Sequence, residues 1–404
     1  MINRLPWFSA CRFCAGMLIL LAIAACSPPS DDVDAEAADG PIRIGATMSE
    51  TGAYATQGIP ARDGYLLCAE DVNAAGGLFG REVTFVIHDD RSDTETAMAR
   101  YEQLISEENV DAVMGPYGST LTEAVAPVTE RHRMVQISPL AATTSIWEQG
   151  REYLFMVLPP AELFLAGLID LADERELTRV AVIAEDQLFP RAAAAGAVEL
   201  AEQRGMTVVL HEIYSSGTED FSQLIEAMEQ GDVEVLAMAA SALDNFIDVV
   251  AQMKAMNVNV EMFGTSGAVS EFQQALGEDA EYVYGLSAWE PGLPNPGSDD
   301  FVAAYKSSFG RAPSFHAAGA YGSCQLFMEA AKIAGSLDQD ALREALLAME
   351  TQTVFGPYAV DERGYQTANQ GLFIQWQDGE KVVVWPDELA TAEPRFPTPS
   401  WDER

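Results

Sequence analysis

From Pro41 to Gly267 the chain alternates short β-branched runs with apolar-periodic helical runs, without a break. PIRIGATMS, REVTFVIHDD, VDAVMGP, MVQIS and YLFMVL read as strands, with RDGYLLCAEDVNAAGG, TETAMARYEQLISEE and the run from Thr120 as helices between them. A helix through Phe164 to Ala172 follows. Then come RVAVIAED, MTVVLHEI, VEVLAMAA and VEMFGTSG, separated by helical runs over 191–204, 220–230 and up to Met256. Strand and helix in strict succession imply parallel sheets covered by helices on both faces. The units exceed what one ordinary doubly wound sheet holds, so the expected fold class is α/β with two domains.

No linker separates the two domains. The strong internal break is EPGLPNPGSDD, Glu290 to Asp300, followed by the long helical run HAAGAYGSCQLFMEAAKIAG. The tail then changes character: VFGPYAVDERGY, GLFIQWQDGE and KVVVWP read as extended segments, with a hairpin at Asp378-Gly379. A two-lobed protein with the chain crossing between lobes accounts for this order. Ligands of open α/β sheets bind at the carboxyl ends of the strands.

Residues 1–25 read as an export signal: Arg4 and Arg12 precede AGMLILLAIAA, too short to span a bilayer. The segment ends Ile23-Ala24-Ala25-Cys26, which looks like the lipobox of bacterial lipoproteins, with Cys26 the lipidated residue. Residues 26–40 are then a lipidated Cys and a disordered acidic tether with nothing to bury. Removing residues 1–25, which hold two Arg and no acid, takes the formal charge from −39 to −41. Nucleic acid is excluded as a partner on that balance, and contact with a membrane is expected through the lipid alone. Of the five cysteines, Cys68 and Cys324 remain in the mature fold, open between a disulfide and two buried thiols. The four histidines are scattered, so no metal or other cofactor is expected.

Three segments resemble sites. GPYGSTLTEAVAPV, Gly115 to Val128, ends a strand in glycines and opens a helix at Ser119 and Thr120. No histidine lies at nucleophile-base spacing and no Walker lysine follows, so it is neither a nucleophile nor a phosphate loop. Thr120 with Glu123 has capping-box spacing, while Ser119 and the free N–H groups suit a small anion such as a carboxylate; cap and anchor both stay open. VQISPLAATTSIWEQ repeats the arrangement, with Ser145 and Glu148 at capping-box spacing. GTSGAVSE has Ala268 where a nucleophile elbow needs Gly, which removes an esterase. Tyr54, Trp147, Phe189, Trp289 and Tyr321 fall near loop or helix starts and suit an apolar or aromatic ligand body.

With IGATMSETGAYATQG, DVNAAGGLFGREVTFVIHDDRSD, GPYGSTLTEAVAPV, ISPLAATTS, GTEDFSQLIEAM, VFGPYAVDERGYQT and FIQWQDGEKVVVWPDELAT in this order, the chain resembles a known family. It is similar to the type I periplasmic binding proteins of ABC importers, in the branched-chain amino-acid (leucine/isoleucine/valine-binding) group. The resemblance spans 41–390. It implies two Rossmann-like lobes joined by a three-crossing hinge: 41–159 plus 288–370 as lobe 1, 160–287 plus 371–390 as lobe 2, and 391–404 as a tail.

The same resemblance implies a carboxylate anchor at Ser119, with Thr120 beside it and backbone and hydroxyl groups from Ala141, Ala142, Thr143 and Thr144. Gln57 stands where the family has a first-loop Tyr, and Phe189 keeps part of the aromatic wall; Tyr54, Trp289 and Tyr321 complete the candidate ligand residues. The family's Glu for a ligand ammonium is matched by Ser266, which neutralises nothing, and its second-lobe tyrosines by Ala242 and Leu243. Glu162, Asp186 and Glu271 are candidate substitutes for the missing acid. The implied function is a monomeric, lipid-anchored, periplasmic solute-binding protein delivering a small carboxylate or amide-type solute, amino acids first, to importer permease subunits. An interaction or regulatory lipoprotein on the same fold is the alternative, and an enzyme is not expected.

Overall fold

The computed structural model describes residues 40–404. The export signal, Cys26 and the tether as far as Asp39 lie outside the described residues. The first five β-branched runs are β1 (Ile42–Met48), β2 (Val83–Asp89), β3 (Ala112–Met114), β4 (Gln136–Ser138) and β5 (Leu154–Met156). They form one parallel sheet in the order β2-β1-β3-β4-β5. Helices α1 (Ala55–Ala74), α2 (Thr94–Ser106) and α3 (Ser119–Arg131) make its crossovers. Every residue of β1 except Arg43 is buried, as expected of a strand inside a sheet that is covered on both faces.

The chain then passes through α4 (Ala166–Asp173) into a second sheet. Its strands are β6 (Arg179–Glu185), β7 (Thr207–Tyr214), β8 (Val235–Ala239), β9 (Met262–Thr265) and β10 (Tyr284–Ser287). Helices α5 (Leu188–Gln203), α6 (Ser222–Gln230), α7 (Leu243–Met256) and α8 (Ser270–Leu276) alternate with them. A return to the first lobe follows as α9 (Ser298–Phe309), α10 (Phe315–Ala334) and α11 (Gln339–Ala348), with the ribbon β11 (Thr351–Thr353) and β12 (Gly356–Tyr358). Finally β13 (Leu372–Gln377) and β14 (Glu380–Trp385) join the second sheet, whose order is β14-β13-β10-β9-β8-β6-β7.

Two expectations need correction. The second sheet is mixed rather than parallel, because β13 and β14 are a hairpin turned at Asp378 and Gly379, both at positive φ, and a tight turn can deliver only an antiparallel partner. The last residues are not a separate tail but pack on the second lobe. Thr398 N–H donates to Glu261 O, Trp401 Nε1 to Val258 O, and the Arg404 guanidinium stacks 3.6 Å over the Trp401 ring.

The chain passes between the sheets three times, and two of the passages are bonded side by side. Met156 N–H donates to Gly364 O, and the buried Gln366 amide donates to Val157 O. On the passage after β10, the buried Glu290 forms an ion pair with the partly buried Lys381 of β14.

Helices α1 and α10 set the geometry of the first lobe. A Cβ at Gly64 would lie 2.2 Å from Ala317 O, so glycine is what lets the two backbones meet. One turn further along, Cys68 and Cys324 form a disulfide between the same helices, across a sequence separation of 256. This pairing fixes the two helix starts, which carry Gln57 and His316, relative to each other. Among the described residues no helix is long and apolar enough to cross a membrane.

Closing so long a loop removes much unfolded-chain entropy, so Cys68→Ser is expected to lower stability by about 2–5 kcal/mol in urea denaturation. Dithiothreitol should produce a similar loss in the wild type, and equal midpoints with and without reductant would refute this role for the bridge.

Candidate functional site

At the carboxyl ends of the strands the two lobes enclose a cavity of about 60 Å³. The first lobe contributes Gln57 from α1, Tyr117 and Gly118 from the turn before α3, Leu140, Leu158, and Phe315 and His316 from α10. Phe164 lies on the first passage between lobes. The second lobe contributes Phe189, Ser241, Leu243, Phe246, Ser266 and Val269. Among the described residues no Asp, Glu, Lys or Arg lines it. Phe164 and Phe189 meet edge to face, with ring centroids 4.9 Å apart. Gly118, at φ 82, makes the turn into α3 and leaves its place in the wall free of a side chain.

The lobes are clasped at the backbone of Ser241. Its carbonyl accepts from Tyr117 Oη at 3.2 Å and, at the 3.5 Å limit, from Gln57 Nε2. Its N–H donates to Glu185 Oε2 at 2.9 Å. Thr120 Oγ1 makes a further bridge, donating to Gln187 Oε1 at 3.1 Å. Thr120 is therefore not a cap: α3 starts behind Gly118 with no side-chain cap, and Glu123 pairs with Arg151 instead. Ser145 likewise sits inside a short 3-10 turn rather than capping one.

Ser119 and the 141–144 loop do come together, but around each other. The Ser119 hydroxyl accepts from the N–H groups of Ala142 and Thr143 at 3.1 and 3.2 Å, all three residues being buried. Thr143 Oγ1 is buried without a partner beside them. None of Ser119, Ala141, Ala142, Thr143 and Thr144 lines the cavity, although their neighbours Gly118 and Leu140 do. Thr144 turns towards the passages between lobes, donating to Glu162 Oε2 at 2.6 Å with Tyr365 Oη at 3.2 Å.

Of the remaining candidates, Gln57, Phe189 and Ser266 line the cavity and Tyr54 stands at its mouth, its ring 5.4 Å from that of Tyr117. Burial first, then Glu185, pushes the Tyr54 hydroxyl up to about 12. Ser266 is occupied structurally, its hydroxyl bonded to both N–H and C=O of Ala240. Trp289 and Tyr321 are corrections. Both pack on Phe301, and the Tyr321 hydroxyl donates to Asp71, because their side chains belong to the core around α9 and α10 rather than to the cleft. Trp147 is buried with its Nε1 on Leu154 O. Nor do the proposed substitute acids reach the cavity: Glu162 is bonded to Thr144, Asp186 pairs with Arg191, and Glu271 lies outside the lining.

Sequence reasoning passed over His316, Tyr117, Ser241 and Glu185. His316 is 4% exposed, its ring against Phe315 and edge-on to Tyr117, with Nδ1 unpartnered. Burial, aided by the Lys381 charge, lowers its pKa to about 3, so the cavity faces a neutral imidazole. Gln57 Oε1 is also buried and unpartnered. An apolar chamber with a neutral ring nitrogen and an amide oxygen in reserve can orient a small polar group by hydrogen bonds, without charge. The only sign of His316 in the sequence was its place at a helix start after the Pro and Gly break.

The depressed His316 pKa sets a pH dependence. The unfolded chain takes up the proton below about pH 6.5 and the folded one only near 3. Stability present above pH 6.5 is therefore lost as pH falls towards 3. Between pH 6.5 and 5 the wild type should lose about 2 kcal/mol more than His316→Phe. Urea unfolding of both proteins at the two pH values checks this, and parallel losses would refute it.

The comparisons with known proteins agree with this architecture. A family model described as periplasmic binding protein matches residues 41–381. The Leu/Ile/Val-binding protein homolog 7 of Brucella suis biovar 1 is 25% identical over 401 residues, covering 94% of this chain and 99% of the relative. Homolog 8 of Brucella abortus is 26% identical over 384 residues, covering 88% and 93%. Among solved structures, the branched-chain amino acid transporter substrate binding protein LivJ of Streptococcus pneumoniae, in complex with isoleucine, superposes with a TM-score of 0.77. It is 23% identical over 86% of this chain and all of its own. A solute binding protein of an R. palustris ABC transporter, in complex with benzoate, gives 0.77 at 17% identity, over 87% and 99%. With the family model spanning most of its length and the two-sheet fold to match, the chain belongs to the periplasmic binding protein family.

Proposed function

We propose that this chain is the extracytoplasmic solute-binding component of an ABC importer. It takes a small solute with an apolar body and a carboxylate or amide end, branched-chain amino acids first, between its lobes. The observation that carries this reading is the cavity at the strand ends, walled by both lobes and lined by apolar side chains with unpartnered polar atoms at Gln57 and His316. Leucine, isoleucine and benzoate appear in the names of structural relatives, which supports a solute of that size.

Size gives the mechanism. A cavity of about 60 Å³ is smaller than the roughly 150 Å³ that accommodates a benzene ring, so entry requires the lobes to part. Parting breaks the Tyr117–Ser241, Gln57–Ser241 and Thr120–Gln187 bonds, each worth about 1 kcal/mol net, and burial of the solute's apolar body offsets them on closure. A carboxylate end would replace the Ser119 hydroxyl as acceptor for the Ala142 and Thr143 N–H groups, with Ser119 and Thr143 hydroxyls donating. No chemical step is involved. The protein works as a monomer, held at a membrane by lipid on Cys26, and presents its closed form to the permease subunits.

Isothermal titration with leucine, isoleucine, valine, benzoate and the corresponding amides should find at least one ligand. At one hundred times its Kd that ligand adds about 2.7 kcal/mol of stability. Ser119→Ala should weaken carboxylate ligands by about 1–3 kcal/mol and leave amides less affected. A panel in which nothing binds would overturn the solute reading, and an unchanged carboxylate affinity the role of Ser119. Cys26→Ala should shift the protein from the membrane to the soluble periplasmic fraction; retention at the membrane would refute lipid anchoring.

A further inference from the structure

The mouth of the cleft carries what the cavity lacks. Glu185, the last residue of β6, is 4% exposed. One carboxylate oxygen accepts the Ser241 N–H, and among the described residues the side chain has no ion-pair partner. It lines a space of about 670 Å³ between the lobes, together with Tyr54, Glu219, Asp244, Asn245 and Asp248, and among the described residues no Lys or Arg lines that space. Carboxylates buried this deeply normally have a countercharge or several donors. Asn245, 7% exposed, lines the same space, and its side-chain oxygen has no partner.

The surrounding acids act together. Burial first, then Asp244 and Glu219, holds the Asp248 carboxyl above its usual range, so like charges crowd one volume. The complement to this arrangement is a cationic hydrogen-bond donor. Among the described residues, no three acids, histidines or cysteines approach closely enough to hold a metal ion, which leaves an organic cation whose donors reach separate acceptors. Ser241 is the partition: its N–H faces Glu185 and its carbonyl faces Tyr117 and Gln57 of the cavity. The Ser241 backbone thus stands between a cation at Glu185 and a body in the cavity.

We propose that Glu185 is the countercharge for an ammonium or guanidinium group of the solute, with Asn245 as a second acceptor and Asp244, Asp248 and Glu219 as the approach. This rests on the reading that the cavity takes a solute, and it narrows that solute to an amine-bearing one. It also supplies, from the end of β6, the acid that Ser266 does not provide.

The test uses three probes with one apolar body, titrated calorimetrically into the wild type and Glu185→Gln: leucine, 3-methylbutylamine and 4-methylpentanoate. The glutamine keeps an acceptor for Ser241 N–H. Glu185→Gln should weaken leucine and the amine by roughly tenfold or more, while 4-methylpentanoate changes by less than about twofold or tightens. Asp244→Asn, on the exposed rim, should weaken the amines severalfold at low salt and less at high salt, and it decides the matter if Glu185→Gln does not fold. Equal effects on amine and acid, or binding by the acid and by no amine, overturn the inference and leave solute binding standing. Silence from all three probes and from the wider panel overturns both.

Discussion

The backbone of one residue, Ser241, holds the arrangement together. The carbonyl of Ser241 receives Tyr117 and Gln57 from the first lobe, while its N–H is held by Glu185 of its own. Glu185 anchors Ser241 from behind at its N–H, while the Ser241 carbonyl, in the next peptide, reaches across the cleft. The bonds that cross are neutral, and one is at the limit of length, so little free energy separates closed lobes from open ones. The bonds that stiffen the first lobe and the hinge are of another kind. Cys68–Cys324 and the close approach at Gly64 lock α1 to α10, and the Lys381–Glu290 ion pair ties the passage after β10 to β14. Stiff lobes on a lightly latched hinge are what a cleft needs if binding is to shift the balance between two states.

Charge is partitioned as sharply as motion. Among the described residues no ionised side chain lines the cavity, and its imidazole, His316, is neutral at any pH the folded protein meets in ordinary buffers. The acids stand beyond the Ser241 backbone, around Glu185. In a chain with 62 acids, an acidic rim is the background; an acid that is 4% exposed is not. A solute that crosses from rim to chamber moves from a polar, negative region to an apolar one, and the two ends of the molecule are sorted by where each is least costly to leave.

Periodicity made the fold legible. β1 and β6, β-branched or apolar at nearly every position, announced buried parallel strands, and the hairpin residues Asp378 and Gly379 announced the exception without revealing that it would dress the edge of the second sheet. Helices α9 and α11 escaped notice since neither carries a long apolar stripe. Of the cavity's lining, Gln57, Phe189 and Ser266 were legible, because the resemblance placed ligand contacts in their segments. His316 and Tyr117 were not, since a single ring next to a helix start has no spacing to mark it. Thr120 misled because a hydroxyl three residues before a Glu fits a cap equally well when it faces a partner 67 residues away. Trp289 and Tyr321 misled because aromatic residues at segment ends fill cores as readily as clefts.

The docked carboxyl-terminal residues have a mechanical consequence. Gly40 is held on the first lobe, its carbonyl accepting from Arg81, whereas Arg404 is bonded to Asn259 on the second. The two ends of the described chain therefore ride on different bodies. Any force applied through the segment before Gly40 acts on one lobe and leaves the other free to swing, and the end-to-end distance becomes a gauge of hinge angle. A pair of dyes at these two positions would read the opening of the cleft directly, with no label near the solute.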